Sequence, residues 1–284
     1  MRVPVFASFQ GGNSQRCISE RLLRPLALRA CAGVIIGSEG EVDRVKERYG
    51  LPQERVTRLS NPLDLAGLRR IDRATARRKL GIDADACLVV WHGRVDIRNK
   101  GLDVLLHAWQ HLTQEHRDGT LQLLLVGTGR DAPQLRHCLS VLDLEGVVWV
   151  DKYVTDRPLL SHYLSAADVY AFPSRHEGFP VAPIEAMACG LPVVAADAPG
   201  VAEILPENQS SGGLVVARGD HVAFAQALRR VLEDKPFRRE LGLRAQERAE
   251  TAFSMETIGC RLAEVLHGAK EPRSWENITA RRRS

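Results

Sequence analysis

The stretch DVYAFPSRHEGFPVAPIEAMACGLPVVAAD, residues 168 to 197, contains two short apolar runs joined by a loop and a helical segment. We predict that DVYAFPS (168–174) and LPVVAAD (191–197) are strands buried on both faces. One glycine and two prolines in the loop favour a turn from strand into helix. Strand, helix and strand in this order form a βαβ unit, whose right-handed crossover makes the two strands parallel.

The same alternation extends over most of the chain. Four further apolar runs are predicted as strands buried on both faces: CLVVWHG (87–93), LQLLLVG (121–127), GVVWV (146–150) and GLVVAR (213–218). In KGLDVLLHAWQHL the apolar residues fall on one side of a helix, namely Leu102, Leu105, Leu106, Trp109 and Leu112. The sequence therefore predicts an α/β protein whose doubly wound parallel sheet, a Rossmann-like domain over residues 81–253, is covered on both faces.

The first 80 residues contain fewer strands. The runs VPVFASF (3–9), GVIIGS (33–38) and RVTRLSNP (55–62) are predicted as strands, with a helix over 39–49. Because two or three strands cannot bury a sheet on both sides, we interpret residues 1–80 as a partial Rossmann-like domain. At the other end, residues 221–268 are predicted to be helical and residues 269–284 to form a mobile basic tail.

Composition is typical of an ordinary globular protein. Of the 284 residues, 44% are hydrophobic and 26% charged, and a mild net charge of +4 is spread along the chain. An aromatic content of 5% without a concentrated basic stripe argues against nucleic acid as a partner. The six cysteines form no CxxC pair, which favours reduced thiols in the cytoplasm. No apolar run approaches the ~18 residues of a membrane span, and no signal peptide is predicted.

Polar residues that could carry chemistry follow the predicted strands. Arg94 and Lys100 come after the strand at 87–93, whereas Glu177 and Glu185 come after the strand at 168–174. Ligands of open parallel sheets bind at the carboxyl ends of the strands, and two cations beside a helix start suit a diphosphate. Taken alone, such cations are also typical of a solvated surface, and such glutamates of a structural turn.

Other chemistries have less support. The GTG at 127–129 is not a dinucleotide fingerprint, which needs a full GxGxxG at the first strand of its domain. Neither a Walker A loop nor a G-x-S-x-G elbow occurs. His107 and His111 are spaced for one helix face, but no third ligand is near them in sequence. We interpret both as solvent-facing or packing residues and predict no metal site.

The order of GRVDIRNKG, LLLVGTGRD, SAADVYAFPSRHEGFPVAPIEAMACGLPVVAADAPGVAEIL and GGLVVARGD resembles the donor-binding half of group 1 (family 4) retaining glycosyltransferases of the GT-B fold. The resemblance covers residues 85–235 and includes the E-x7-E element of that family. CAGVIIGSEGEVDRVKERYGLPQERVTRLSNPLDL resembles the end of the family's acceptor domain, and residues 254–268 resemble its C-terminal crossover helix. The implied fold is therefore GT-B with a truncated acceptor domain.

The resemblance also implies roles for individual residues. Arg94 and Lys100 would hold the donor diphosphate and stabilise the departing nucleoside diphosphate, so that no divalent metal or other cofactor is required. Glu177 would bind hydroxyls of the donor sugar, and Glu185 both ribose hydroxyls. Further donor-binding residues implied by the motifs are Gly93, Gly127, Gly129, Gly178, Phe179, Pro180 and Val181, with Lys152 and Tyr153 as candidates for lining the base or, equally, as surface loop residues.

The sequence departs from the family at its start. Where many relatives place a histidine near the reacting carbon, this chain has Gln10, followed by Gly11 and Gly12 as further acceptor-side candidates. An amide can donate a hydrogen bond but cannot act as a base. The chain is interpreted as part of a normal enzyme, as a donor-binding module completed by a partner chain, or as a degenerate nucleotide-sugar binder without transfer.

The expected partners are a nucleotide sugar, with UDP or GDP as the nucleotide, and a saccharide or lipid-linked acceptor. Four arginines of the N-terminal segment could face a membrane surface or lie on a solvated helix: Arg16, Arg21, Arg24 and Arg29. The expected location is the cytoplasm. If the arginines face a membrane, the protein would contact the inner membrane face peripherally.

Overall fold

The computed structural model describes residues 4–9, 18–65, 67–115 and 119–268. These form two compact units, one comprising the described residues up to Pro62 together with those from Glu256 onward, the other Leu63–Met255. Strands and helices alternate in both, which confirms the predicted α/β class.

The strands are β1 (Phe6–Phe9), β2 (Gly33–Ile36), β3 (Val56–Arg58), β4 (Cys87–His92), β5 (Leu121–Val126), β6 (Val147–Val150), β7 (Val169–Phe172), β8 (Val193–Ala196) and β9 (Gly213–Val216). The helices are α1 (Ile18–Ala30), α2 (Glu39–Tyr49), α3 (Arg73–Leu80), α4 (Ile97–Lys100), α5 (Leu102–Glu115), α6 (Ala132–Leu142), α7 (Arg157–Ala166), α8 (Ala182–Ala188), α9 (Val201–Ile204), α10 (His221–Glu233), α11 (Lys235–Phe253) and α12 (Met255–His267).

The smaller unit contains a parallel sheet of three described strands in the order β1-β2-β3. Its core is formed by apolar residues of β2, α2 and their neighbours, including Val34, Ile36, Val42 and Val45. The helix α2 ends at Gly50, which takes the left-handed conformation that glycine tolerates best. Three strands with one apolar core agree with the prediction of a partial Rossmann-like domain.

The larger unit is built on a six-stranded parallel sheet in the order β6-β5-β4-β7-β8-β9. The chain runs from β4 outward to β6 and then from β7 outward in the opposite direction, so the sheet changes direction between β4 and β7. Ligands of such sheets bind at this switch point, outside the carboxyl ends of the strands. The topology thus singles out the loops after β4 and β7.

Helices cover both faces of this sheet, and the apolar runs supply the two layers of its core. The predicted inner face of α5 is confirmed, since Leu102, Leu105, Leu106, Trp109 and Leu112 are all at most 1% exposed. Residues 146–150 contain the predicted strand, but its predicted burial on both faces is wrong, because β6 is an edge strand and Val148 is 53% exposed. The same prediction fails in part for residues 213–218, since β9 is the other edge strand and Val215 and Val216 are only half-buried. An edge strand has a neighbour on one side only, which leaves part of its surface open.

The helix α3 belongs to the larger unit, although the sequence places the domain boundary after residue 80. Its Ala76 is fully buried in the same core as Leu164 of α7. Its Arg77 is also buried and donates to the Ala166 carbonyl oxygen at 2.9 Å and to Asp168 Oδ2 at 3.0 Å. The structure therefore divides the chain after Pro62.

The C-terminal part is helical as predicted, but it is divided into α10, α11 and α12 at Asp234 and Ser254. Asp234 ends α10 and also caps α11, because its side chain accepts from the Phe237 amide at 2.9 Å. Among the residues that the structure describes, no helix combines the length and the apolar character needed to cross a membrane.

Candidate functional site

The loops after β4 and β5 lie in direct contact at the carboxyl edge of the sheet. Gly93 and Gly127 follow these strands directly, and Gly127 has a φ of +145° that other residues rarely adopt. A Cβ atom at Gly127 would overlap the carbonyl oxygen of Gly93. A Cβ atom at Gly129 would likewise overlap the carbonyl oxygen of Val95. The predicted donor-binding glycines therefore allow the backbones of the two loops to pack against each other.

Lys100 and Glu177, two of the predicted catalytic residues, are in contact although 77 positions separate them. Lys100 is the last residue of α4, and its Nζ lies 2.6 Å from Oε1 of Glu177 in the loop after β7. The two side chains are only 23% and 10% exposed. A partly desolvated ion pair of this kind is more than a surface contact.

Arg94 lies in the same β4–α4 loop, and its side chain is exposed. It makes no hydrogen bond or ion pair with another described residue, so its guanidinium is available to a ligand. Asp96 caps α4 by accepting from the Asn99 amide at 3.1 Å. Burial would raise the pKa of Asp96, but hydrogen bonds from Asn99 and the charges of Arg130 and Arg94 outweigh it and lower that pKa.

The loop carrying Glu177 is fastened to the α4–α5 junction by Arg175, a residue that the sequence analysis missed. Arg175 holds both carboxylate oxygens of Asp103 at 2.6 Å. The amides of Arg175 and His176 also donate to the Asn99 carbonyl oxygen, at 2.8 and 3.3 Å. The hydrogen bond with Asp103 raises the pKa of Arg175, so this clamp stays charged.

Glycine at position 101 lets the same two segments approach. Gly101 has a φ of +63°, and a Cβ atom there would overlap the carbonyl oxygen of Pro173. The Lys100 and Glu177 loops are therefore in contact through backbone as well as through side chains.

Glu185, in the first turn of α8, contacts two residues that the sequence analysis also missed. His92, the last residue of β4, places Nε2 2.9 Å from Oε2 of Glu185, and Arg157 of α7 places Nη1 3.7 Å from Oε1. Burial raises the pKa of Tyr170 well above its usual value, and its protonated hydroxyl donates to the His92 carbonyl oxygen at 3.1 Å. The one signal in the sequence is a polar histidine ending an otherwise apolar run.

The segment from Gly178 to Val181 joins the two glutamates. Pro180 is buried, the ring of Phe179 packs edge-on against Phe253 at 5.9 Å, and Val181 caps α8. The amides of Gly178, Phe179 and Val181 donate to no other residue in the described part of the chain. They are therefore free to bind an anion or a sugar hydroxyl.

The remaining predicted residues lie apart from this cluster or outside the described residues. Lys152 and Tyr153 follow the edge strand β6 and are exposed, Tyr153 by 57%. Their role in lining a base stays a prediction, as does that of Gln10, Gly11 and Gly12, which lie outside the described residues.

His107 and His111 lie on the surface of α5, with ring centroids 5.6 and 5.2 Å from that of His221. Within the ranges that the structure describes, no three His, Cys, Asp or Glu side chains are arranged to hold a metal ion. The two histidines are thus placed as packing residues on the surface.

Comparison with curated proteins identifies related transferases. The chain is 32% identical over 263 residues to a D-inositol 3-phosphate glycosyltransferase of Kineococcus radiotolerans, covering 88% of this chain and 60% of the relative. A protein of the same name from a Nocardioides species is 31% identical, with 84% of this chain and 54% of the relative covered. The chain thus spans little more than half the length of these relatives.

Solved structures share the fold. Sucrose-phosphate synthase from Thermosynechococcus elongatus is 27% identical with a TM-score of 0.77, over 92% of this chain and 67% of that protein. The HepE protein of Anabaena, solved in complex with UDP, is 25% identical with a TM-score of 0.79, over 93% of this chain and 72% of that protein. These similarities support the predicted GT-B fold.

A family-level match covers the sheet that carries the site. The sequence model of the family described as "Glycosyl transferases group 1" matches residues 86–234. That range is more than half of the chain and includes the loops after β4 and β7 with both glutamates. The protein therefore belongs to the group 1 family of glycosyl transferases.

Proposed function

We propose that the protein is a retaining glycosyltransferase that moves a hexosyl group from a nucleoside diphosphate sugar to a hydroxyl of a saccharide or lipid-linked acceptor. The observation that carries the proposal is the contact of Glu177 with Lys100, six residues after Arg94, an exposed cation without an ion-pair partner among the described residues. Two cations that follow one strand, one of them in contact with a carboxylate, match a diphosphate joined to a sugar.

The donor is proposed to lie along the loops from β4 to α8. Arg94 and Lys100 bind the diphosphate, with the free amides before α8 facing it. Glu177 accepts from hydroxyls of the sugar, and Glu185 accepts from the two ribose hydroxyls, which the oxygens of a carboxylate can do together. The two glutamates would then bind the sugar and the ribose on either side of the diphosphate.

The reaction is proposed to proceed by departure of the nucleoside diphosphate and attack of the acceptor on the face it leaves. The transition state has oxocarbenium character, and negative charge grows on the departing diphosphate. Arg94 and Lys100 are already in place to stabilise this charge, which is the main contribution that preorganised cations make to such steps. In this scheme the two side chains stabilise the charge of the departing diphosphate, which other transferases stabilise with a divalent metal.

UDP is the first nucleotide to test, because the HepE protein of Anabaena was solved with UDP. The names of the curated relatives make an inositol phosphate a reasonable first acceptor beside saccharides and lipid-linked sugars. We further propose a cytoplasmic location, where an acceptor embedded in a membrane would require peripheral contact with its inner face. We also propose that a partner chain could complete the partial Rossmann-like domain of the smaller unit.

The test is calorimetric binding of UDP, GDP and ADP to the purified chain without added metal, beside the Glu185→Ala variant. We expect micromolar binding of one nucleotide and its loss in the variant. A folded chain, shown by circular dichroism, that binds none of the three would contradict the proposal. Binding of a nucleotide without turnover of its sugar conjugates would favour the alternative function, a nucleotide-sugar binder without transfer.

A further inference from the structure

His92 is a buried polar residue at the end of an apolar strand. It closes β4, where the four preceding residues are buried and apolar, and it is only 9% exposed. Burying an imidazole costs free energy unless the ring finds hydrogen-bond partners. Its Nε2 finds one in Oε2 of Glu185, at 2.9 Å.

The direction of this hydrogen bond follows from its partners. An ionised carboxylate can only accept, so the proton of the bond lies on Nε2 of His92. The other ring nitrogen, Nδ1, is buried and has no hydrogen-bond partner among the described residues. A ring that carries its proton on Nε2 and none on Nδ1 avoids burying an unpaired N–H group.

The ring is also fixed from its other side. Tyr170 packs edge-on against it, with ring centroids 5.3 Å apart and planes at 64°, and its hydroxyl donates to the His92 carbonyl oxygen. A ring held in this way offers Glu185 a donor with a set direction. The carboxylate is thereby held against β4.

Glu185 keeps free capacity in this arrangement. Its side chain is 15% exposed, and Arg157 reaches its other oxygen only at 3.7 Å. Two carboxylate oxygens have about four lone-pair directions, of which His92 occupies one. Two ligand hydroxyls can therefore still bind, and they meet a carboxylate whose orientation is already set.

We propose that His92 is a positioning residue which holds the Glu185 carboxylate ready for the two hydroxyls of a ribose and so strengthens selection of ribonucleotides over deoxyribonucleotides. The proposal rests on the proposed function, since it requires that Glu185 binds the ribose. Preorganisation of this kind lowers the cost of ordering a side chain on binding.

The test compares His92→Leu, which removes the donor, with His92→Gln, whose amide nitrogen reaches about as far as Nε2. Calorimetry on the full chain measures UDP, 2′-deoxy-UDP and inorganic pyrophosphate, with GDP or ADP and its deoxy form if wild type prefers that base. We expect His92→Leu to weaken the ribonucleotide about tenfold, the deoxynucleotide less, and pyrophosphate by no more than about twofold. His92→Gln should recover most of the ribonucleotide affinity.

Equal losses for all three probes in His92→Leu would overturn the proposal, because a merely structural role would weaken pyrophosphate as well. Unchanged ribonucleotide binding would also overturn it while leaving the proposed function intact, provided that Glu185→Ala still abolishes binding. If wild type binds no nucleotide, the proposed function fails and the ribose role of His92 fails with it.

A second measurement needs no nucleotide. Long-range ¹H–¹⁵N NMR of the imidazole should show the proton on Nε2 in wild type and altered nitrogen shifts in Glu185→Ala. A wild-type ring protonated on Nδ1 alone would mean that His92 does not hold Glu185, whatever the binding data show.

Discussion

At the scale of single residues, the site pairs one of its two cations with a carboxylate. Lys100 is paired with Glu177 at 2.6 Å, whereas Arg94 is exposed and has no partner in the described part of the chain. In the proposed complex, a diphosphate would share Lys100 with the Glu177 carboxylate or displace that carboxylate from Lys100. The two cations are expected to respond differently to mutation.

Replacing Glu177 by glutamine should raise the affinity for UDP and lower the rate of transfer. The charge that competes for Lys100 is removed, which we estimate at about 1 kcal/mol, or roughly fivefold in affinity. Transfer falls because the amide no longer offers the sugar two accepting oxygens. Calorimetry and a transfer assay measure the two effects, and Glu247→Gln on the surface of α11 is the control for loss of one negative charge. Weaker UDP binding in Glu177→Gln would contradict this account of the pair.

Alanine at position 94 and alanine at position 100 should differ in their effect on stability. Each should lower kcat by about 10²–10³, or about 2.7–4 kcal/mol, the range found for removal of one preorganised donor. Arg94→Ala breaks no hydrogen bond or ion pair with a described residue and removes only a nearby charge from Asp96, so the melting temperature should change little. Lys100→Ala leaves the carboxylate of Glu177 partly buried without its partner and should lower stability.

The measurements are steady-state kinetics with the preferred donor and thermal unfolding by calorimetry. Arg98→Ala, an exposed cation on the same short helix, is the matched control and should affect neither quantity. A loss of stability in Arg94→Ala that equals that of Lys100→Ala would show that Arg94 has a structural role.

At the scale of elements, the site depends on two loops being fastened together. The loop after β7 is held to the junction of α4 and α5 by the bidentate pair of Arg175 with Asp103 and by the Asn99 carbonyl oxygen. Lys100 and Glu177 lie on the two fastened segments. The distance between Lys100 and Glu177 therefore depends on the contact of Arg175 with Asp103.

Arg175→Lys should loosen this clamp with little loss of global stability. Lysine keeps the charge but cannot hold both oxygens of Asp103, and pairs with side chains 31% and 39% exposed contribute about 1 kcal/mol or less to folding. We expect faster hydrogen exchange in residues 173–178, a melting temperature within a few degrees of wild type, and a transfer rate reduced about tenfold by misplacement of the site. The control is Arg136→Lys, whose partner Asp151 follows the edge strand β6 and takes no part in the clamp. Unchanged exchange in 173–178 would refute the clamp.

A sequence pattern predicts a helix or strand well when its buried residues recur at the spacing typical of that element. The inner face of α5 repeats at helical spacing, and β4, β5, β7 and β8 are predominantly apolar runs. The run at β6 looks the same, yet the strand lies at the sheet edge, because strand order depends on the whole topology. Local sequence does not contain that information.

The site was predictable in part for a similar reason. The rule that parallel strands end at one edge places Arg94, Lys100, Glu177 and Glu185 near each other without any knowledge of distances. It does not say which side chains pair. His92 and Arg175 were missed because their partners, Glu185 and Asp103, are 93 and 72 positions away in sequence.

At the scale of the whole molecule, the position of the domain boundary decides which unit contains α3. The observed division after Pro62 places α3 in the larger unit, whereas the boundary predicted after residue 80 places it in the smaller one. The helix α3, RATARRKL, has the composition of a solvated surface helix, so nothing in it indicates that Arg77 is buried. Desolvation lowers the pKa of Arg77, while the attraction of Asp168 opposes that shift. Asp168 is itself 4% exposed and also accepts from the Leu88 amide at 2.8 Å. The guanidinium of Arg77 is therefore buried in the interior of the larger unit.

A fragment of residues 63–255 should fold by itself and bind the same nucleotide as the full chain, whereas a fragment of residues 81–253 should not fold stably. The longer fragment keeps Arg77 with Asp168 and the 2.8 Å hydrogen bond from the Leu63 amide to the Phe253 carbonyl oxygen. The shorter one leaves Asp168 without Arg73 and Arg77 and with Arg238 at 3.5 Å, and removal of one partner of a buried pair costs about 3–5 kcal/mol. That loss is a large share of the ~5–15 kcal/mol that stabilises a typical domain.

Urea unfolding followed by circular dichroism measures both fragments, and calorimetry with the preferred nucleotide shows whether the site is intact. In residues 63–255, Asp168→Ala keeps α3 but removes the carboxylate that pairs with Arg77 and accepts from the Leu88 amide, and this variant should lose about 3–5 kcal/mol of stability. Equal stability of the two fragments would mean that α3 is dispensable and that the boundary after residue 80 describes the folding unit. A stable longer fragment that binds nucleotide would place every residue needed for donor binding, His92 and Arg175 included, within one independently folding sheet.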